Sequence, residues 1–274
     1  MSDTYPTPEP IQLIVRIPRG HVEITATDTL ETTLDIQRTD GRSAWVAGAE
    51  DVRVEFRDSR RSAGQLLVVA DKNRHGWFTK NASYEVRIQT PNGAVVDAVT
   101  ASAEVAGKGS FESVNVRTAS GDVSFEDVAG AMRIKSASGD VRVHDSKGAA
   151  TLASTSGDIH LGAAAGHVTA SLVSGDFQVD AVGDGVSARS VSGDLSIKAV
   201  DKGAIDLNSV SGDAVVAVLP GKRVWMDIMS TSGETFCDLD ASDEDARGAG
   251  KADVDIRVKT VSGDVRILRA DGAA

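Results

Sequence analysis

Five aspartates recur at one interval: Asp122, Asp140, Asp158, Asp176 and Asp194, each 18 residues after the last. Each closes a Ser-Gly-Asp triplet, and the series continues at Asp213, Glu234 and Asp264 with steps of 19, 21 and 30. Stacked carboxylates can do one of two things. They can hold a cation, since Ca²⁺ takes several oxygen ligands, and Ca²⁺ is the one cofactor this sequence raises. Alternatively, each can accept hydrogen bonds from the backbone of its own turn, with Gly supplying a positive φ. On strands about 4.8 Å apart, like charges repel by roughly 3 kcal/mol per pair at an effective dielectric near 20, so something must relieve them. The nine-residue Gly-rich unit of calcium-binding solenoids is absent. Turn chemistry is the expected role of all five, and no metal site is assigned.

Other chemical signals are sparse. His144, His160 and His167 are separated by 16 and 7 residues and share no column. Cys237 is the single cysteine, which excludes an internal disulfide and reads as a buried small hydrophobe. No Gly-x-Ser-x-Gly elbow and no Walker-type phosphate loop occurs. One carboxylate per repeat is not the clustered pair beside a groove that glycoside cleavage needs. No catalytic or cofactor-binding residue is assigned, and the chain is expected not to be an enzyme.

The elements that carry the aspartates follow from the same period. Within a repeat, Val141-Arg142-Val143 and Ala150-Thr151-Leu152-Ala153-Ser154 alternate apolar and polar residues, a strand period, and Gly-Asp and Lys-Gly mark bends. Apolar residues align in columns: Val123, Val141, Ile159, Phe177 and Leu195; Met132, Ala150, Val168 and Val186. Two such strands alone cannot bury a face, but stacked rungs cover one another. A further column reads Thr118, Ser136, Ser154, Leu172, Ser190, Ser209, Ser230 and Thr260. It is expected at a tight corner, with hydroxyls satisfying turn backbone. The fold expected is all-β: a single-stranded, right-handed parallel β-helix (β-solenoid) of about 18 residues per rung.

Residues 1–9 read as a disordered tail and 10–80 as a β-rich N-terminal cap without the period. Residues 81–270 read as the solenoid, with an acidic loop at 238–251. Arg74 to Phe78 reads as an aromatic loop on the cap. Val265 to Arg269 reads as the closing strand, with Arg266 and Arg269 discouraging edge growth. The net charge of −11 argues against nucleic acid, whose binding relies on Lys and Arg, and against an anionic membrane. The N-terminal residues lack a basic-then-apolar pattern and no run of 18 apolar residues exists, so neither signal peptide nor membrane span is expected. The expected location is the cytoplasm.

The Ser-Gly-Asp-Val repeats behind a β-rich N-terminal segment resemble the bacterial putative-adhesin family of β-strand-repeat proteins, a domain of unknown function. The resemblance covers residues 80–270 and extends to the cap, and it implies a β-solenoid, with no catalytic residues to carry over. Function is read as a scaffold or binding surface for an unidentified protein partner, with oligomeric state open. The alternatives are a surface adhesin exported by an unrecognised route, and a carbohydrate-active β-helix enzyme.

Overall fold

A computed structural model describes residues 2–39, 52–57, 64–70, 82–239 and 252–270. These residues are strands, turns and bends, with no helix among them, hence none long and apolar enough to cross a membrane. The chain divides into two compact units, 1–143 and 144–274. Both are parallel β-solenoids, as the period implied.

The first unit contains β1 (Ser2–Pro6), β2 (Gln12–Ile17), β3 (Gly20–Thr27), β4 (Glu31–Arg38), β5 (Val52–Arg57) and β6 (Gln65–Ala70). There follow β7 (Tyr84–Pro91), β8 (Ala94–Thr100), β9 (Glu104–Thr118), β10 (Val123–Val128) and β11 (Met132–Ser136). β12 (Val141–Ser146) spans the division between the units. Parallel pairing begins well before the 18-residue period: β2 lies between β6 and β8, and β3 between β7 and β9. The long β9 turns a corner, its first half pairing with β10 and its second with β11. Antiparallel strands finish this end, β4 on β7, β1 on β4 and β5 on β6.

The segment expected as a disordered tail is thus β1 and its continuation. The Tyr5 ring stacks on Phe56 with centroids 4.9 Å apart, and the buried Thr7 hydroxyl meets that of Thr32 at 2.8 Å. Its prolines and turn formers suggest disorder in isolation. An edge strand tolerates proline, because its outer N–H has no partner to lose. The Arg74–Phe78 loop and residues 240–251 of the acidic excursion lie outside the described residues.

The second unit continues with β13 (Ala150–Ser154), β14 (Ile159–Ala164), β15 (Val168–Leu172), β16 (Phe177–Val182), β17 (Gly185–Ser192) and β18 (Leu195–Val200). Last come β19 (Gly203–Ser211), β20 (Ala214–Val218), β21 (Val224–Ser232), β22 (Thr235–Cys237), β23 (Val254–Ser262) and β24 (Val265–Arg269). Odd strands form one ladder and even strands the other. The apolar columns fall in register, Ile159 on Phe177 on Leu195 and Val168 on Val186 on Ile205, all buried.

At the C-terminal end, spatial order departs from sequence order. β23 pairs with β19 on one side and β21 on the other, and β24 sits likewise between β20 and β22. The last strands are therefore slotted inside, and β21 with β22 forms the terminal rung. Arg266 and Arg269 do not guard a terminal edge. The inward residues of the inserted rung, Val254, Ile256, Val258, Val265 and Ile267, are all buried. In the terminal rung the positions beside Val265 and Ile267 are Thr235 and Cys237. Assigning the doubly covered slot to the richer apolar set removes more apolar surface from water.

Candidate binding surface

Each repeat turns a corner at its Ser-Gly-Asp triplet, and two corner forms occur. In the earlier copies, the N–H groups of Gly121, Gly139 and Gly157 donate to the hydroxyls of Thr118, Ser136 and Ser154 at 2.9, 2.8 and 2.9 Å. This is the hydroxyl-to-turn role the column suggested. Leu172 supplies no hydroxyl, and from its own corner onward glycine takes a positive φ: +118° at Gly175 and +132° at Gly193. The Gly193, Gly212 and Gly263 N–H groups then donate to the carbonyls of Ser211, Ser262 and Ser232 on the next rung, each at 3.1 Å. Turned away from the hydroxyl, the backbone leaves the buried Ser190 and Thr260 oxygens without a partner among the described residues. Both forms exclude a side chain at the glycine: a Cβ at Gly139 or at Gly193 would lie 2.1 Å from the carbonyl oxygen of the rung below.

Where the sequence suggested bonds within each turn, the aspartate side chains bond from rung to rung. In the first unit the Asp140 N–H donates to Asp122 Oδ1 at 3.0 Å. In the second, the N–H groups of Asp176, Asp194 and Asp213 donate to Oδ1 of Asp158, Asp176 and Asp194 at 2.9, 2.8 and 2.8 Å. Asp264 then donates to Asp213 and Glu234 to Asp264, both at 2.9 Å. The correction has a geometric cause. In-register stacking sets each carboxylate one strand spacing from the next Asp N–H, while its own Gly N–H is already bonded. The universal positive φ expected of the glycines holds only from Gly175 onward. Among the described residues no group of three or more His, Cys, Asp or Glu is placed to hold a metal ion. The ladder also records the exchanged order, since it runs Asp213, Asp264, Glu234.

The histidines remain apart. His160 Nε2 lies 3.0 Å from Asp180 Oδ2, and His167 Nε2 lies 3.4 Å from the Ser187 hydroxyl. Partial burial works against ionisation of Asp180, but hydrogen bonds from Lys198, His160 and Gln178 outweigh it and hold its carboxyl below the usual range.

An apolar stripe runs along the corner of the second unit. Val173, Val191, Val210 and Val261 each precede a Ser-Gly-Asp triplet and each stays half-exposed. Beside it, on the outer face of the odd-numbered ladder, is a shallow groove of about 370 Å³ lined by Arg189, Asn208, Val210, Met229, Lys259 and Val261. Register places Arg189 on Asn208, Asn208 on Lys259, and Lys259 on Met229. The two cations therefore stand two rungs apart, about 10 Å. Both are exposed, and neither has an ion pair among the described residues. The repeated Val-Ser-Gly-Asp was legible in the sequence. Its valine faces outward because it continues the strand alternation, one position after the inward Leu172, Ser190, Ser209 or Thr260.

The terminal rung exposes Trp225, Met226, Met229 and Phe236. Cys237 is exposed as well, against the expectation of a buried thiol. It occupies an inward position beside Ile267, and no rung among the described residues covers it.

No curated protein matches the chain. Among solved structures, the fold is shared with a protein from Parabacteroides distasonis ATCC 8503 described as a putative lipid binding protein. The TM-score is 0.52 and the identity 16%, over 98% of this chain and 96% of that one. A protein from the same organism described as a putative adhesin gives a TM-score of 0.51 and 10% identity, with the same coverage. The sequence itself matches one described family over residues 12–268, the whole span of the ladders. Stacked rungs, Ser-Gly-Asp corners and this match lead to one assignment: the chain belongs to the Toastrack DUF4097 family, a domain of unknown function.

Proposed function

We propose that the chain is a non-enzymatic binding module whose valine corner and adjoining groove receive a protein partner. The observation that carries this is the alignment of Val173, Val191, Val210 and Val261 beside Arg189 and Lys259. Contiguous exposed apolar surface rimmed by polar groups is the signature of an interaction site. The exposed, unpaired cations favour a partner segment carrying acidic side chains among apolar ones. A non-enzymatic role is supported by the Asp ladder, in which carboxylates stand singly, one per rung, and accept from the neighbouring backbone.

A photo-crosslinking residue at position 210, compared with one at the exposed Thr169, tests this in cells. We expect one adduct specific to position 210. The captured protein, once purified, should bind wild type and lose at least tenfold in affinity with Val261→Asp. Equal adducts from both positions, or undiminished binding by Val261→Asp, would refute the reading. We place the partner in the cytoplasm. A pool found wholly at the cell surface on fractionation would favour the adhesin reading instead.

A further inference from the structure

The terminal rung is an unfinished end. Among the described residues β21 pairs only with β23 and β22 only with β24, so the outer edges of both strands keep unpaired N–H and C=O groups. The core is open there too. Met226 is 38% exposed, whereas Ile256, one rung inward in the same column, is 0% exposed. Trp225, Met229 and Phe236 add apolar surface at 46%, 60% and 55% exposure. Long apolar edges of this kind are templates for strand addition, and proteins ordinarily charge or cover them.

We propose that this edge is covered by the same edge of a second copy, in a closed two-fold dimer that pairs β21 antiparallel with β21. Three observations select this occupant. The first is charge. Centring the two-fold on Ile228 sets Met226 opposite the second copy's Ser230, Trp225 opposite Thr231 and Asp227 opposite Met229. In this register no like charges of β21 face each other. Sliding by one position to centre on Asp227 would oppose two like charges. The second is area. A nine-residue strand spans about 30 Å, and two sheets about 10 Å apart with their side chains span about 20 Å. That buries about 600 Å² per copy, near 1,200 Å² in total, the lower bound for a specific interface. The third is the other end of the chain, which finishes in antiparallel strands β1, β4 and β5. A parallel head-to-tail contact would need an open parallel edge there, so the isologous arrangement, which closes at two, is favoured.

The test is sedimentation of the full chain from about 1 to 200 µM, a range that spans the micromolar dissociation of a small interface without deep anchors. Wild type should pass from monomer to dimer and stop there. Met226→Lys should weaken the dimer at least tenfold, whereas Met226→Leu, which keeps the cover over Ile256, should leave it intact. In a Cys237→Ser background, Ile228→Cys should form a disulfide-linked dimer on mild oxidation and Asp227→Cys should not, because only position 228 lies opposite itself. A monomer throughout the range, growth beyond the dimer, or equal crosslinking at 227 and 228 would overturn the proposal. The two surfaces share Met229, but Val261→Asp reads the valine corner one rung inward, so the two proposals fail separately.

Discussion

Replacing Asp194 separates the two roles that a carboxylate column can have. Its Oδ1 accepts the Asp213 N–H at 2.8 Å, and its own N–H donates to Asp176 Oδ1 at 2.8 Å. A hydrogen bond to a charged group contributes about 1.5–3 kcal/mol when buried, and exposure of Asp194 brings this to about 1 kcal/mol. Against it stands repulsion from Asp176 and Asp213, each one strand spacing away. At about 5 Å that is roughly 0.8 kcal/mol per pair in water-like surroundings and up to about 3 at an effective dielectric near 20. Asp194→Ala loses the acceptor as well as the charge and should be about 1 kcal/mol less stable than Asp194→Asn. Asp194→Asn keeps the acceptor oxygen and removes the charge, so it should change stability by no more than about 0.5 kcal/mol at physiological salt. At low salt, where repulsion is least screened, it should become stabilising. Urea unfolding at two salt concentrations measures both variants. The reasoning fails if Asn costs as much as Ala. It fails equally if millimolar Ca²⁺ raises the melting temperature of wild type but not of Asp194→Asn, for then the carboxylates bind a cation that stabilises by mass action.

The two corner forms predict opposite outcomes for one substitution. Ser136→Ala strands the buried Gly139 N–H and should cost about 1–3 kcal/mol in urea unfolding, whereas Ser190→Ala removes an oxygen that already lacks a partner and should be neutral or slightly stabilising. Asp180 predicts an acid effect. Its folded-state pKa is held below the ordinary aspartate value of about 3.9, so its contribution is present above that value and disappears as pH falls through the folded one. The stability gap between wild type and Asp180→Asn should therefore be open at pH 6 and close towards pH 3, and a gap that widens on acidification would contradict the assignment.

The regular part of the fold was legible because its cause is local and repeated. Period-2 alternation within each strand and an 18-residue step between copies place Ile159, Phe177 and Leu195 in one column. Only an in-register parallel stack buries them together. The hydroxyl column could be assigned to the corner for the same reason, since the bond from Gly139 to Ser136 spans three residues. The Asp partners were misread because the donor is local only in space. Each carboxylate accepts from a residue 18 or more positions away, and its own turn was the nearer candidate in sequence.

What the sequence determined, then, was the rung: its strands, its glycine corner and its inward residues, all set by short-range alternation and backbone geometry. The tertiary structure alone decided the order of the rungs at the C-terminal end. Sequence spacing put the Ser262 copy after the Ser232 copy, yet burial favoured the reverse. Val254, Ile256 and Ile267 gain two covering neighbours in the inner slot, and the connection between Cys237 and Val254 is long enough to permit it. Which apolar residues remain exposed follows from that choice. The surfaces proposed here for a partner and for a second copy are therefore properties of the assembled fold.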